Sequence, residues 1–230
     1  MKTIGLLGGM SWESTAIYYR LANELVRDRL GGLHSARILL HSVDFAEIEA
    51  LQSAGEWDAA GEILAVAAQG LETAGAELIV LCTNTMHLVA PAIEAAIDVP
   101  FLHLADTTAD AVRSAGITKV GLLGTIFTME RDFYRNRLAS HGLEVLVPDA
   151  GDRRRISGIV YDELCLGIAT EESRSVYLEV IDRLIADGAE GIVLGCTEIE
   201  MLIDQSHTNV PVFPTTRLHV HAAVDASLGG

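Results

Sequence analysis

The chain repeats itself, so its fold has to accommodate one pattern of strands and turns twice. Ile4-Gly5-Leu6-Leu7-Gly8 returns as Val120-Gly121-Leu122-Leu123-Gly124. A longer segment, Gly75-Ala76-Glu77-Leu78-Ile79-Val80-Leu81-Cys82-Thr83, returns without a gap as Gly188-Ala189-Glu190-Gly191-Ile192-Val193-Leu194-Gly195-Cys196. Each copy is followed by a Val-Pro pair, Val99-Pro100 and Val210-Pro211, and Tyr19-Arg20-Leu21 has a looser echo in Tyr134-Arg135-Asn136. Two similar units are the simplest structure that satisfies this pattern.

Within each copy short β-type runs alternate with helical patterns, as in mainly parallel sheets with helices on both faces. Strands are expected at Ile4–Leu7, Ala36–His41 and near 77–82, 100–103, 118–123, 143–147, 190–194 and 210–213. Ser11 is placed to cap the first helix, with Ile17, Leu21 and Leu25 at four-residue spacing as its inward stripe. The expected fold is α/β: two similar lobes, each a mainly parallel sheet flanked by helices, related by a pseudo-twofold axis with the active site between them. The lobes divide as residues 1–105 and 106–230, with the C-terminal helix free to cross over to the first.

With 230 residues, half of them apolar, the chain can bury a sizeable core. Its formal charge of −16 excludes a nucleic-acid or anionic-membrane surface, both of which need clustered Lys and Arg. The short basic run Arg153-Arg154-Arg155 reads as a solvated loop before a helix. No apolar run approaches the roughly 20 residues of a membrane span, and Met1-Lys2-Thr3 leads straight into a strand without a secretory h-region. A cytoplasmic location is expected, and with it free thiols: Cys82, Cys165 and Cys196 form no C-x-x-C pair. Gly5-Leu6-Leu7-Gly8-Gly9 lacks the spacing and the lysine of a nucleotide loop. His219 and His221 lack the surroundings of a metal site and read as a late surface segment, and Cys165 reads as core.

Ligands of parallel sheets bind outside the carboxyl ends of the strands. The duplication pairs Thr83 with Cys196 there, each at a strand-to-helix junction where backbone N–H groups and the helix dipole favour an anion. Two equivalent positions facing each other suit a reaction on opposite faces of one carbon.

The segments Gly8-Gly9-Met10-Ser11-Trp12-Glu13-Ser14-Thr15, Cys82-Thr83-Asn84-Thr85-Met86-His87 and Gly195-Cys196-Thr197-Glu198 resemble the signatures of the aspartate/glutamate racemase family. That resemblance implies racemisation of a small amino acid, aspartate or glutamate, without pyridoxal phosphate or metal. Two cysteines of such enzymes lie on opposite sides of the substrate Cα, one removing a proton while the other delivers one. Cys196 matches the second-lobe cysteine, the one assigned to the L-face, with its pKa lowered by the helix N-terminus after it. In the first lobe the sequence departs from the pattern: the position before Asn84-Thr85 is Thr83, with Cys82 one residue earlier. Alternation along a strand and the gapless repeat favour Thr83 in the cleft and Cys82 packed behind it.

Asn84, Thr85, Thr125, Thr128, Thr197 and Glu198 match family positions around the amino-acid backbone, joined by Met10 and, on a helical stretch where a solvated side chain is the default, Gln52. Glu198 is a candidate for the substrate ammonium or for an exposed first-turn role, and His87 either tunes a thiolate or caps its turn. No Arg in the first lobe matches a position for a side-chain carboxylate. A homodimer is the expected assembly. Alternatives are a lyase resembling arylmalonate decarboxylase, which needs only the second-lobe cysteine, and a catalytically silent amino-acid-binding protein.

Overall fold

The first sheet is built from β1 (Ile4–Gly8), β2 (Ile38–Ser42), β3 (Leu78–Leu81) and β4 (Phe101–Leu102), the second from β5 (Lys119–Gly124), β6 (Glu144–Leu146), β7 (Gly191–Gly195) and β8 (Val212–Pro214). This is a computed structural model, and it describes residues 1–229. Both sheets are parallel throughout and share one topology, β2-β1-β3-β4 and β6-β5-β7-β8. Helices α1 (Trp12–Leu30), α2 (Phe45–Ala54), α3 (Trp57–Thr73) and α4 (Ala90–Glu94) connect the first four strands. Helices α5 (Leu104–Ser114), α6 (Ile126–Glu130), α7 (Asp132–Ser140), α8 (Ala150–Asp162), α9 (Glu171–Ala186) and α10 (Thr215–Leu228) complete the chain. The first compact unit holds residues 1–104 and the chain from His219 onward; the second holds Ala105–Leu218. The helix after each sheet's fourth strand is thus exchanged: nearly all of α5 belongs to the second unit, and most of α10 to the first.

The duplicated residues do the same work in both units. Glu77 accepts the backbone N–H of Thr3 at 2.8 Å, and Glu190 accepts that of Thr118 at 2.9 Å, so each carboxylate clamps the start of its unit's first strand. These N–H donors hold Glu190 below the usual carboxylate range. Pro100 and Pro211 each present a carbonyl, both at 2.9 Å, to the N–H of Ile79 and Ile192. In the first sheet a Cβ on Gly5 would lie 2.7 Å from Ile79 Cδ1; in the second, one on Gly121 would lie 3.0 Å from Ile192 Cδ1. Glycine at these central positions lets an isoleucine of the neighbouring strand and the helix-side chains close over the sheet.

Ser11 caps α1, accepting from the Ser14 N–H at 3.2 Å, but the inward stripe is displaced by one residue from the expected one. Tyr18, Ala22 and Val26 are buried against Ile4, Leu6 and Val80, while Ile17, Leu21 and Leu25 are only partly covered. Apolar residues on both sides of the line make either stripe plausible in sequence; the small Ala22 at its centre lets α1 approach the sheet along the Tyr18 line. Arg153-Arg154-Arg155 also differs from expectation, since it lies inside α8, whose cap Asp149 accepts from Gly151 and Asp152 at 2.8 and 2.9 Å. Arg153 pairs with Glu130 at 3.1 Å and Arg155 with Glu179 at 3.5 Å, which gives the basic run partners within the chain.

The third correction is His219, which is fully buried in the first unit rather than part of a surface segment. Its Nε2 donates to the Leu102 carbonyl at 2.8 Å, which leaves Nδ1 to accept from the Tyr18 hydroxyl at 3.0 Å. Tyr134 has the matching arrangement in the second unit, its hydroxyl 3.5 Å from that of Thr108 on α5. The structural partner of Tyr134 is therefore Tyr18, both fully buried, and not the exposed Tyr19 of the sequence echo. His87 and His103 are buried near His219, with ring centroids 5.9 Å from His87 to His219 and 4.7 Å from His87 to His103.

Two outcomes are expected from this packing. Gly5→Ala should destabilise the protein by about 1–3 kcal/mol in urea unfolding, since the new methyl has no room. Gly121→Ala, with wider clearance, should cost less, and Ile79→Val should restore part of the loss in the Gly5→Ala background but none in the Gly121→Ala background. Burial lowers the pKa of His219 from 6.5 to about 4. A histidine whose folded pKa is depressed contributes its full stability above its unfolded value and loses it as pH falls. Between pH 6.5 and 4 this group should cost the fold on the order of 3 kcal/mol. His219→Gln, which keeps a donor for the Leu102 carbonyl but does not charge, should flatten that part of the pH–stability curve.

Candidate active site

In the first unit the candidate residues collect where β1 and β3 end. Register fixes those ends side by side, with Leu7 opposite Leu81. A Cβ on Gly8 would lie within 2.5 Å of the Thr15 side chain, so glycine allows α1 to begin directly above the strand end. The Thr15 hydroxyl in turn accepts the Gly9 N–H at 2.8 Å, and Met10 comes next, buried at the edge of the core that contains Leu81 and Met86. After β3 the chain passes Cys82, Thr83 and Asn84 and enters a 3₁₀ turn, Thr85–Val89. Cys82 is completely buried among Tyr18, Val80 and Val220, with its thiol toward the Val80 carbonyl at 3.8 Å, and burial alone pushes its pKa far up. Thr83 is partly exposed, whereas Asn84 and Thr85 are buried.

His87 holds this turn to the chain just past β4. Its Nε2 accepts the Leu104 N–H at 3.2 Å, so Nδ1 carries the proton and donates to the Thr83 carbonyl at 2.7 Å. Burial, and then the neighbouring His103 and His219, hold its pKa well below the ordinary value, so the ring is a neutral brace. Of the two roles open to it in sequence, the geometry shows the turn-holding one. Gln52 lies on the buried face of α2 with Ile48, which corrects the expectation of a solvated side chain.

In the second unit the strand ends are again level, Gly124 opposite Gly195. Thr125 caps α6, its hydroxyl 3.3 Å from that of the buried Thr128, and Ser157 accepts the Ile126 N–H at 3.0 Å. Beyond Gly195 stands Cys196, 7 % exposed, whose thiol donates to Glu198 Oε2 at 2.9 Å. Burial, and then the charge of Glu198, raises the pKa of this thiol well above its ordinary value. The sequence led to the opposite expectation, a helix dipole lowering it. Cys196 opens onto a five-residue 3₁₀ turn, Thr197–Met201, whose short dipole does not offset burial beside a carboxylate. The resting pair is therefore a neutral thiol hydrogen-bonded to a carboxylate.

Supporting residues emerge here that the sequence reading missed. The Thr197 hydroxyl lies 2.9 Å from that of Thr216, and Thr215 donates to the Leu194 carbonyl at 2.8 Å, tying the Cys196 turn and the end of β7 to the start of α10. Glu200, close behind Glu198, is pushed up to about 7 by burial even though Arg217 lies 3.1 Å away. The available signal was the second acidic residue of Cys196-Thr197-Glu198-Ile199-Glu200, with Thr215-Thr216-Arg217 after the fourth strand of the repeat.

Comparison with known proteins shows the family. Residues 7–223 match the family model of the Asp/Glu/hydantoin racemases. A crystal structure of a candidate Asp/Glu racemase from Yersinia pestis is 55 % identical, covers 99 % of this chain and 100 % of its own, and superposes with a TM-score of 0.94. An aspartate racemase homologue from Pyrococcus horikoshii OT3 is 33 % identical over 99 % of this chain and 100 % of its own, with a TM-score of 0.88. A broad-specificity amino-acid racemase of Bacillus subtilis is 23 % identical over 162 residues, 69 % of this chain and 68 % of that protein. Fold and family model agree, and the chain belongs to the Asp/Glu/hydantoin racemase family, an isomerase of the racemase type.

Proposed function

We propose that the chain racemises a small amino acid without a cofactor, with aspartate and glutamate the first substrates to try. In this reading Cys196 exchanges the Cα proton on one face and Thr83 serves the other. The observation that carries it is the 2.9 Å hydrogen bond from the Cys196 thiol to Glu198 at the end of β7. A buried neutral thiol is a poor base, but a carboxylate already holding its hydrogen can take that proton as the sulfur takes one from Cα. Glu198 ends protonated, the sulfur ends protonated again, and the charge passes to the substrate carbanion. The net charge of the buried pair and substrate is unchanged, which limits the desolvation cost of forming a thiolate.

Thr83 occupies the matching position in the repeat, but a threonine hydroxyl is too weak an acid to rest as an alkoxide. It can relay a proton through water or position the substrate, and the two faces are chemically unequal. Free enantiomers have equal energy, so a true racemase still shows equal kcat/KM in both directions. Asn84, Thr85, Thr125, Thr128 and Thr197, with Met10 and Gln52, are proposed to line the substrate's backbone. Cys82, Cys165 and Cys196 form no disulfide among the described residues, and we propose a cytoplasmic homodimer.

Deuterium exchange at Cα, read by NMR with chiral chromatography alongside, tests the assignment. Cys196→Ser should abolish both exchange and inversion of L-substrates, and Glu198→Gln should lower kcat by about 10²–10⁴-fold. With the charge of Glu198 gone, the thiol pKa moves back toward its ordinary value, so the alkaline rise of the residual activity should shift to lower pH. Thr83→Cys should increase D-to-L turnover. Full exchange of an L-amino acid by Cys196→Ser would remove the central assignment, and loss of activity on exhaustive chelation would remove the cofactor-free reading.

A further inference from the structure

The 3₁₀ turn that carries Glu198 carries a second carboxyl, Glu200, two residues further on. Its side chain is 14 % exposed. Arg217 Nε donates to Oε2 at 3.1 Å, while Oε1 is buried with no hydrogen-bond partner among the described residues. A carboxyl placed in this way is unfavourable as an anion, because one of its oxygens has lost water and gained nothing in return. Structural ion pairs do not need such an orphaned oxygen, and its place beside a thiol–carboxylate pair marks Glu200 as a group with a part in the chemistry.

The groups around Glu200 act in opposite directions. Burial and the like charge of Glu198, on its own turn, disfavour the anion; Arg217, on α10, and the Thr216 N–H favour it, and the balance pushes its pKa up to about 7. Asp204, from the turn that follows, lines with Glu200 and Arg217 a cavity of about 240 Å³, which has room for water beside the carboxyl. The turn itself is tied to the start of α10 through the hydroxyls of Thr197 and Thr216, 2.9 Å apart and both buried. Glu200 therefore reaches Glu198 by its charge, with the spacing of the two residues fixed by the turn.

We infer that Glu200 is a positioning residue for the reaction and acts through Glu198: ionised, it strengthens Glu198 as acceptor of the Cys196 proton, and protonated, it withdraws that help. The inference rests on the Cys196–Glu198 reading proposed above. No proton leaves Glu200 in the step. The thiol proton still passes to Glu198 Oε2 while the sulfur takes one from Cα, so the sulfur is protonated before and after. Glu198 is the group on this side that changes charge, from anion to neutral acid, and a second negative charge nearby favours that change. Arg217 sets the pH at which the help arrives, since its guanidinium stabilises the Glu200 anion. The sign follows: exchange should be slow while Glu200 is protonated and should rise as pH passes through about 7.

The test is the pH profile of kcat for Cα deuterium exchange, with the common L-amino acids as probes and the fastest of them carried through wild type, Glu200→Gln and Arg217→Met. In the wild type kcat should rise through neutral pH by up to about tenfold, the effect of one pKa unit in a proton acceptor. Glu200→Gln should stay near the acid-side rate at every pH and lose that inflection. Arg217→Met should keep the inflection but move it to higher pH, which also serves as the test if Glu200→Gln does not fold. Infrared difference spectra, independent of turnover, should show a protonated carboxyl titrating near 7 in the wild type and missing in Glu200→Gln. A purely structural tie between the turn and α10 would instead lower kcat by one factor at all pH values. That result, an inflection that survives Glu200→Gln, or one that Arg217→Met leaves in place would overturn the inference alone. A wild type that exchanges the Cα proton of none of these amino acids would overturn the Cys196–Glu198 reading and this inference with it.

Discussion

The closeness of each unit's first and third strands governs everything placed at their ends. Gly5 and Gly121 leave room for Ile79 and Ile192 to lie over the neighbouring strand, and the resulting register sets Leu7 beside Leu81 and Gly124 beside Gly195. One residue past those points the chain leaves the sheet, so Cys82-Thr83 and Cys196 emerge at defined heights. Gly195 belongs to the same constraint, because a Cβ there would lie 2.9 Å from the Leu123 carbonyl. Glu77 and Glu190 extend it to the opposite end of the strands by holding the N–H groups before β1 and β5.

This explains why so much of the fold is legible in the sequence. Residues fixed by strand-to-strand contact are constrained in both copies alike, and it is those residues, Gly5/Gly121, Ile79/Ile192 and Glu77/Glu190, that make the repeat visible. Helix faces are less legible, since α1 offers two adjacent apolar lines and only tertiary packing selects the one through Tyr18, Ala22 and Val26. The burial of His219 is illegible for a related reason. A histidine near a chain end carries no sign of burial in its own sequence, and its partners, the Tyr18 hydroxyl and the Leu102 carbonyl, lie 201 and 117 residues away.

The candidate site shows the same division between position and environment. Strand ends and signature segments locate Thr83 and Cys196, but the protonation state of a thiol depends on what surrounds it. Desolvation of Cys196, a residue 7 % exposed, and the adjacent Glu198 carboxylate outweigh whatever a five-residue 3₁₀ turn supplies. Glu200, pushed up to about 7 by burial behind Glu198, adds a second carboxyl that spacing alone marks only as part of an acidic run.

Duplication also accounts for how the two halves came to differ without losing the fold. The clamps, glycines and buried tyrosines sustain the sheets and are kept twice. The positions just past the strands carry no such burden and have diverged: Thr83 against Cys196, and on the exchanged helices Thr108 against His219, each beside its tyrosine. The first unit has thereby acquired a neutral histidine brace, in which His87 joins the Thr83 carbonyl to the Leu104 amide. The second has acquired a thiol and carboxylates tied to α10 through Thr216 and Arg217. An unequal pair of strand ends thus stands on an equal pair of scaffolds, a thiol beside a carboxylate in the second unit and, in the first, a threonine held in place by its backbone. Substitutions at these ends can therefore alter the groups that one unit presents while the sheet beneath, fixed by its own glycines and clamps, keeps its register.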